Sequence, residues 1–257
     1  MFTTHNLKNF FPLAVLIVAV QLLCFSCKSD DPEPELFYLP ESGDQAIVFT
    51  HLFNADDYEQ GKQIVIEGFS NAIQQSGQAR RTYFLSRPEN NEVLAISFFH
   101  AASNPDEWLD HSERDKVLAQ LQPLYREPLR LQQYTAERVH DSHSSNGPEP
   151  NYLPRKGDEV ILFTHLFKEE NYEDGINIVT NDFPTAIENS GQTRRSYFLD
   201  NPSNNEMVAA SFFHPDSDTD VWLNHEERDQ VLAALAPLYR EPLHVVQYTV
   251  EEVHDTK

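Results

Sequence analysis

The chain has 257 residues, with 41 acidic against 19 basic side chains and a formal charge of −22. A surface this negative repels nucleic-acid phosphates, which excludes nucleic acid as a partner, and it has no basic patch for anionic lipid. The two cysteines, Cys24 and Cys27, both stand near the start, so the remainder has no disulfide, thiolate nucleophile or cysteine metal site.

Lys8 is the only formal charge ahead of the apolar run Phe10 to Leu23. The run is short of the roughly 20 apolar residues a membrane span needs, and with its positive lead it reads as a secretory signal over residues 1–26. The segment Leu23-Cys24-Phe25-Ser26-Cys27 resembles a bacterial lipobox, although Cys24 stands where Leu is usual. The resemblance implies cleavage after Ser26 and lipid on Cys27. The alternative is an ordinary signal with soluble release. Residues 27–35 are acidic and proline-rich, with no apolar side chain to bury, and form a solvated tether. Lys28, rather than Asp, follows the cysteine, which implies an outer-membrane lipoprotein with a cell-surface address.

From Tyr38 onward the sequence recurs at an offset of 152 − 38 = 114, because Tyr38-Leu39-Pro40 returns as Tyr152-Leu153-Pro154. The same offset carries Phe49-Thr50-His51-Leu52-Phe53 onto Phe163-Thr164-His165-Leu166-Phe167, and Ser97-Phe98-Phe99-His100 onto Ser211-Phe212-Phe213-His214. Two repeats follow, 36–141 and 151–257, joined by a Ser/Gly/Pro linker at 142–150. Two copies are too few for a solenoid.

Within a repeat the elements run in order. Gln45 to Phe53 alternates as a strand, with Ile47, Phe49, His51 and Phe53 on one face. Tyr58, Gly61, Val65, Phe69, Ala72 and Ile73 recur at helical spacing, and Ser76-Gly77 is a stop. Arg81 to Leu85 and Val93 to His100 form a hairpin around Pro88-Glu89-Asn90-Asn91. A second helix is predicted from about Pro105 to Tyr125, then a strand from Leu129 to Val139. In the second repeat Pro184 falls inside the first helix, where a kink or break is expected.

The order β-α-β-β-α-β is the ferredoxin-like plan. Such a sheet leaves one apolar face bare, and a second like sheet is the simplest cover. The fold class is therefore α+β, two ferredoxin-like repeats packed sheet to sheet into a barrel within a monomer. Tyr83-x-Leu85-x-x-Pro88-x-Asn90, the strand Val93 to Phe99, and Trp108-Leu109-Asp110-His111 with Leu118, Leu121 and Pro123 are together similar to the antibiotic biosynthesis monooxygenase-like dimeric α+β barrels. The resemblance implies a cofactor-independent oxygenase acting on a small aromatic or quinol-like substrate. The alternative is a non-catalytic binder of a hydrophobic ligand or an envelope interaction protein. Heme degradation is a minority reading. The resemblance assigns that chemistry a strand Asn, a strand-end Trp and a helix His, and only His111 and His225 match.

The candidate catalytic residues are His51, His111, His165 and His225. The first-strand pair lies in an apolar row, where a neutral imidazole suits a base; the alternative is a core histidine satisfied by a hydroxyl. For His111 and His225 the alternative is a helix cap or packing. His111 and Asp115, at i and i+4, are a weak metal pair, and no metal site is expected. Arg81 and Arg195, in the pairs Arg80-Arg81 and Arg194-Arg195, either clamp an anionic ligand or pair with carboxylates. Tyr83, His100, Trp108, Tyr197, His214 and Trp222 complete the candidate ligand-binding set, the tryptophans alternatively being core. The anchor is directly testable: Cys27→Ala should move the protein from the membrane fraction to a soluble pool, and unchanged fractionation would remove the lipoprotein reading.

Overall fold

The computed structural model describes residues 38–78, 81–142 and 152–256, with backbone alone at 193 and 194. The expected signal, Cys27, the tether, Arg80 and linker residues 143–150 lie outside the described residues. The strands are β1 (Gln45–Leu52), β2 (Arg81–Arg87), β3 (Glu92–Phe99), β4 (Arg130–Asp141), β5 (Glu159–Leu166), β6 (Thr193–Asn201), β7 (Glu206–Phe213) and β8 (His244–Asp255). All pairings are antiparallel and close a barrel in the order β1-β3-β2-β8-β5-β7-β6-β4. The fold is α+β, as expected.

Closure depends on two seams between the halves. β2 pairs with β8 and β4 with β6, each with a register shift, near Phe84/Leu85 and Ala136/Arg138 respectively. Such bulges add local twist, which bends strands toward a closed surface. At one end each seam carries an ion pair: Arg81 to Asp255 at 3.3 Å and Arg195 to Asp141 at 2.9 Å. The arginines are 3% exposed, so removing either aspartate would strand a buried charge.

Successive strand residues face opposite ways. Ala46, Val48, Tyr83, Leu85, Leu94, Ile96 and Phe98 face the lumen with their counterparts from the second half. Ile47, Phe49, Phe53, Phe84, Ala95 and Phe99 face outward beneath the helices. The first helical layer comprises α1 (Tyr58–Gln63), a π-helical turn at Ile64–Gly68, α2 (Phe69–Ser76), α3 (Pro105–Leu109) and α4 (Ser112–Leu121). The second comprises α5 (Tyr172–Ser190), α6 (Thr219–Leu223) and α7 (Glu226–Leu235). α1 approaches the sheet so closely that a Cβ on Gly61 would meet the Phe53 ring at 2.4 Å, and Gly175 meets Phe167 likewise at 2.5 Å. Gly77 and Gly191 end their helices at φ 64°, the left-handed stop that Ser76-Gly77 predicts.

Two expectations are corrected. The predicted second helix is not continuous: His111 takes an extended backbone (φ −76°, ψ 127°) and separates α3 from α4. The break is satisfied locally, because Arg114 Nη1 donates to the Leu109 carbonyl at 2.8 Å and so serves an otherwise orphaned helix end. Pro184 does not break its helix either, since α5 runs unbroken from Tyr172 to Ser190. The first-half helix, with Ser70 at the matching position, carries the π-helical turn instead. Proline removes the N–H that would bond the carbonyl four residues back. That carbonyl, of Thr180, instead accepts from Arg138 Nη1 at 2.5 Å, a donor from β4 of the other half. A double-mutant cycle tests the compensation. Arg138→Ala should cost about 1–2 kcal/mol alone and clearly less in a Pro184→Ala background, where the helix N–H returns; equal costs in both backgrounds would refute it.

Candidate functional site

Alternation places the first-strand histidines away from the lumen. His51 is fully buried between sheet and helices, its ring 5.6 Å from Phe69 and its Nδ1 2.8 Å from the Tyr125 hydroxyl. His165 repeats this with Phe183 at 5.7 Å and the Tyr239 hydroxyl at 2.8 Å. Burial in the apolar layer, reinforced by the nearby guanidinium of Arg114 or Arg228, lowers both imidazoles to about 3. They are neutral core histidines bonded to a hydroxyl through Nδ1, with Nε2 buried and without a hydrogen-bond partner among the described residues; they lie outside the barrel cavity, which corrects their assignment as bases facing a ligand.

The helix histidines are also remote from the lumen. His111 and His225 occupy the N-cap positions of α4 and α7, make no capping hydrogen bond, and stack on Trp108 at 6.5 Å and Trp222 at 6.4 Å. Trp108 and Trp222 are 1% exposed and lie edge-on to Phe69 and Phe183 in the helix–sheet layers. Asp115 meets Arg114 at 3.4 Å, and no group of three possible metal ligands occurs among the described residues.

Arg81, Tyr83, Arg195 and Tyr197 do come together, inside the barrel. The Tyr83 and Tyr197 hydroxyls are 2.8 Å apart, and their rings stand 4.6 Å from Phe212 and Phe98 respectively. These four fully buried aromatics fill the middle of the lumen as a plug. Arg195 Nε donates to the Tyr197 hydroxyl at 2.8 Å, and its other nitrogens reach Asp141 and the Pro40 carbonyl. Arg81 donates to the Tyr38 carbonyl at 3.1 Å beside Asp255. Arg195 is bonded through all three nitrogens, whereas Arg81 bonds the Tyr38 carbonyl and leaves Nε buried without a hydrogen-bond partner among the described residues; at this end both guanidinium groups face carboxylates of the chain itself, which favours carboxylate pairing over an anion clamp. His100 and His214 sit on the rim of this end, each accepting a backbone N–H two residues on and packing edgewise on Tyr38 and Tyr152.

The opposite end of the lumen is open. A cavity of about 550 Å³ lies there, lined by both halves and within the size range of small-molecule sites. Its deeper wall is apolar, including Leu94, Ile96, Leu162, Val208 and Val246. Its mouth holds two carboxyl groups, Glu92 and Glu206, only 7% and 3% exposed. Tyr248 Oη donates to Glu92 Oε1 at 2.8 Å and Tyr134 Oη to Glu206 Oε1 at 2.5 Å. Burial first, and the adjoining glutamate second, push both phenols well above their ordinary range, so they remain donors. A surface groove of about 660 Å³ beside α4 is roomier, but it is lined by one half alone and gathers no comparable set of buried polar groups.

Sequence reasoning missed these residues. Glu92 follows the turn Asn90-Asn91 and reads as turn composition, although it is in phase with Leu94, Ile96 and Phe98. Gln132 and Tyr134 are likewise in phase with the buried Ala136. The signal available was that period-two phase.

The fold has counterparts among solved structures. A candidate monooxygenase from Fusobacterium nucleatum matches with a TM-score of 0.63 at 10% identity, over 83% of this chain and 95% of its own. A candidate monooxygenase from Lactobacillus acidophilus matches at 0.61 and 10% identity, over 82% and 96%. An anthrone oxidase-like protein matches at 0.62 and 9% identity, over 84% and 94%. At these identities the likeness is one of fold. No family model matches the chain, and no curated protein matches it.

The buried histidines generate a pH prediction. An unfolded imidazole takes up its proton near 6.5, whereas His51 and His165 resist protonation to about 3. Between those values the unfolded chain binds more protons, so stability falls with falling pH in that window, by about 1.4 kcal/mol per pH unit for each histidine, and is indifferent to them above it. Urea midpoints at pH 7 and pH 5 should therefore converge in a His51→Gln/His165→Gln variant relative to the parent; identical pH losses would show that the layer is not dry.

Proposed function

We propose that this chain is an exported, lipid-anchored protein built on a single-chain version of the antibiotic biosynthesis monooxygenase-like dimeric barrel. In this reading the open end of the barrel binds a small aromatic or quinol-like molecule and oxidises it with dioxygen, without a resident cofactor. One observation carries it: a cavity of about 550 Å³ with apolar side chains at depth and a polar mouth, where two buried carboxyl groups pair with tyrosine phenols beside Arg130 and Arg240.

The chemistry such a cavity supports is specific. Apolar walls accept a planar ring and exclude water, so polar contacts at the mouth act at low effective dielectric. A carboxylate there takes a proton from an acidic O–H or activated C–H, and a neighbouring phenol donates to the resulting oxyanion. For an anthrone-like ring, the CH₂ carbon gains one oxygen atom of O₂ as a carbonyl, and its two hydrogens leave with the other as water. The substrate itself is the reductant. The strand order and the fold neighbours, candidate monooxygenases and an anthrone oxidase-like protein, support this class. Heme fits less well. The one imidazole lining the cavity is His244, at the exposed mouth, while His111 and His225 lie on the outer helical layers.

Oxygen uptake with a panel of anthrone, hydroquinones and naphthalenediols, beside a heme titration, tests the reading. Uptake is expected with at least one panel member, falling at least tenfold in a Glu92→Gln/Glu206→Gln variant that keeps its melting temperature, with no Soret shift on heme addition. Saturable binding without uptake would leave the binder of hydrophobic ligands as the function.

A further inference from the structure

The two halves of the cavity are related by the 114-residue offset, yet they are not chemically equal. Glu206 is fully engaged. Its Oε1 accepts from Tyr134 Oη at 2.5 Å and from Gln132 Nε2 at 3.2 Å, and its Oε2 from the same amide at 3.2 Å and from Asn204 Nδ2 at 2.5 Å. A carboxylate has about four acceptor directions, and here three donor groups share them, the Gln132 amide bridging both oxygens. Glu92 accepts from Tyr248 Oη at 2.8 Å through Oε1 and from Asn90 Nδ2 at 2.8 Å through Oε2, with Arg87 Nη1 3.6 Å from Oε2. Among the described residues, Oε1 of Glu92 has that single donor.

The difference traces to one position. Gln132 stands opposite Val48 on β4, and the same place on β8, opposite Leu162, is Val246. An amide that would cap Glu92 is replaced by an isopropyl group that lines the cavity. Arg87, near Glu92, has Asn201 as its counterpart, so one carboxyl group is charge-paired and the other is bonded out by neutral donors. Glu92 is 7% exposed, and its Oε1 keeps an acceptor direction open toward the cavity. A donor on a molecule lying against Val246 would fill that direction.

We infer that the ligand donates a hydroxyl or amine hydrogen to Glu92 Oε1, and that Glu206 is a structural brace for the opposite wall. The inference rests on the reading of the barrel mouth as a binding cavity. It adds that the site is one-sided and that the ligand class is an apolar ring bearing at least one donor.

Two probes separate the donor from the ring: 2,6-dihydroxynaphthalene, which carries hydroxyls, and naphthalene, which carries none. Their dissociation constants are measured anaerobically on the full chain and on Glu92→Gln, Glu206→Gln and Val246→Gln. Glu92→Gln should weaken the diol about tenfold or more and naphthalene less than threefold, the difference expected for one hydrogen bond to a charged acceptor. Val246→Gln, which leaves Glu92 in place but caps it, should weaken the diol similarly with its melting temperature retained. Glu206→Gln should weaken both probes equally and slightly. Equal diol losses in Glu92→Gln and Glu206→Gln, or an indifferent Val246→Gln, would overturn the one-sided site and leave the binding cavity standing. If neither probe binds the unaltered chain, the cavity reading fails and this inference with it.

Discussion

A four-stranded antiparallel sheet has two edges, and neither half of this chain can hide its own. Open edges expose rows of unpaired N–H and C=O groups, and a barrel removes them by closing on itself. Here closure requires β2 to find β8 and β4 to find β6, so each half completes the other. Much else depends on this. Once the ring is shut, one row of each strand faces a lumen shared by both halves, and the other row faces a helical layer belonging to one half or, along much of β4 and β8, solvent. The seam arginines then sit at one end with their aspartates, and the aromatic plug fills the middle. One end is left to hold a cavity.

That constraint also explains what the sequence reveals and what it conceals. Strand positions and the grouping of residues by face are legible, because period-two rows such as Ile47, Phe49 and His51 survive intact in β1. Which row faces the lumen is not legible, since β1, β2 and β3 are buried on both faces and both rows are apolar. The first-strand histidines and the lumen carboxyls thus exchange roles: His51 belongs to the helix layer, while Glu92, immediately after a turn tetrad, opens onto the lumen. The helix break at His111 lacks a glycine or proline to announce it, and depends on a guanidinium reaching back to Leu109. Pro184 announces a break that Arg138 removes from another strand, a tertiary contact that no local pattern records.

Comparison of the halves sorts positions by what they do. The His51–Tyr125 and His165–Tyr239 contacts match, as do the Arg–Asp pairs at the seams and the Gly–Phe contacts under the helices. All of these hold layers together, and each layer needs its own. The differences include Gln132 against Val246, Arg87 against Asn201 and Arg130 against His244, all at or beside the open mouth. Framework contacts are matched where geometry demands it twice, while the mouth differs at several places around two carboxyl groups that are kept.

A barrel assembled from two separate copies of one chain presents every mouth residue twice, related by a twofold axis. Such a mouth binds an asymmetric ligand equally well in two orientations, and a substitution that improves one wall alters both. Carrying both halves in one polypeptide removes that coupling. Gln132 can fill the acceptors of Glu206 without touching Glu92, and Val246 can line a wall without stripping Glu206 of its amide. The asymmetry is cheap in stability, because Glu206 keeps four hydrogen bonds and Glu92 keeps Tyr248, Asn90 and Arg87. What it changes is the symmetry of the mouth: one carboxyl group keeps an open acceptor beside an apolar side chain and the other does not, an inequality that a twofold mouth is unable to have.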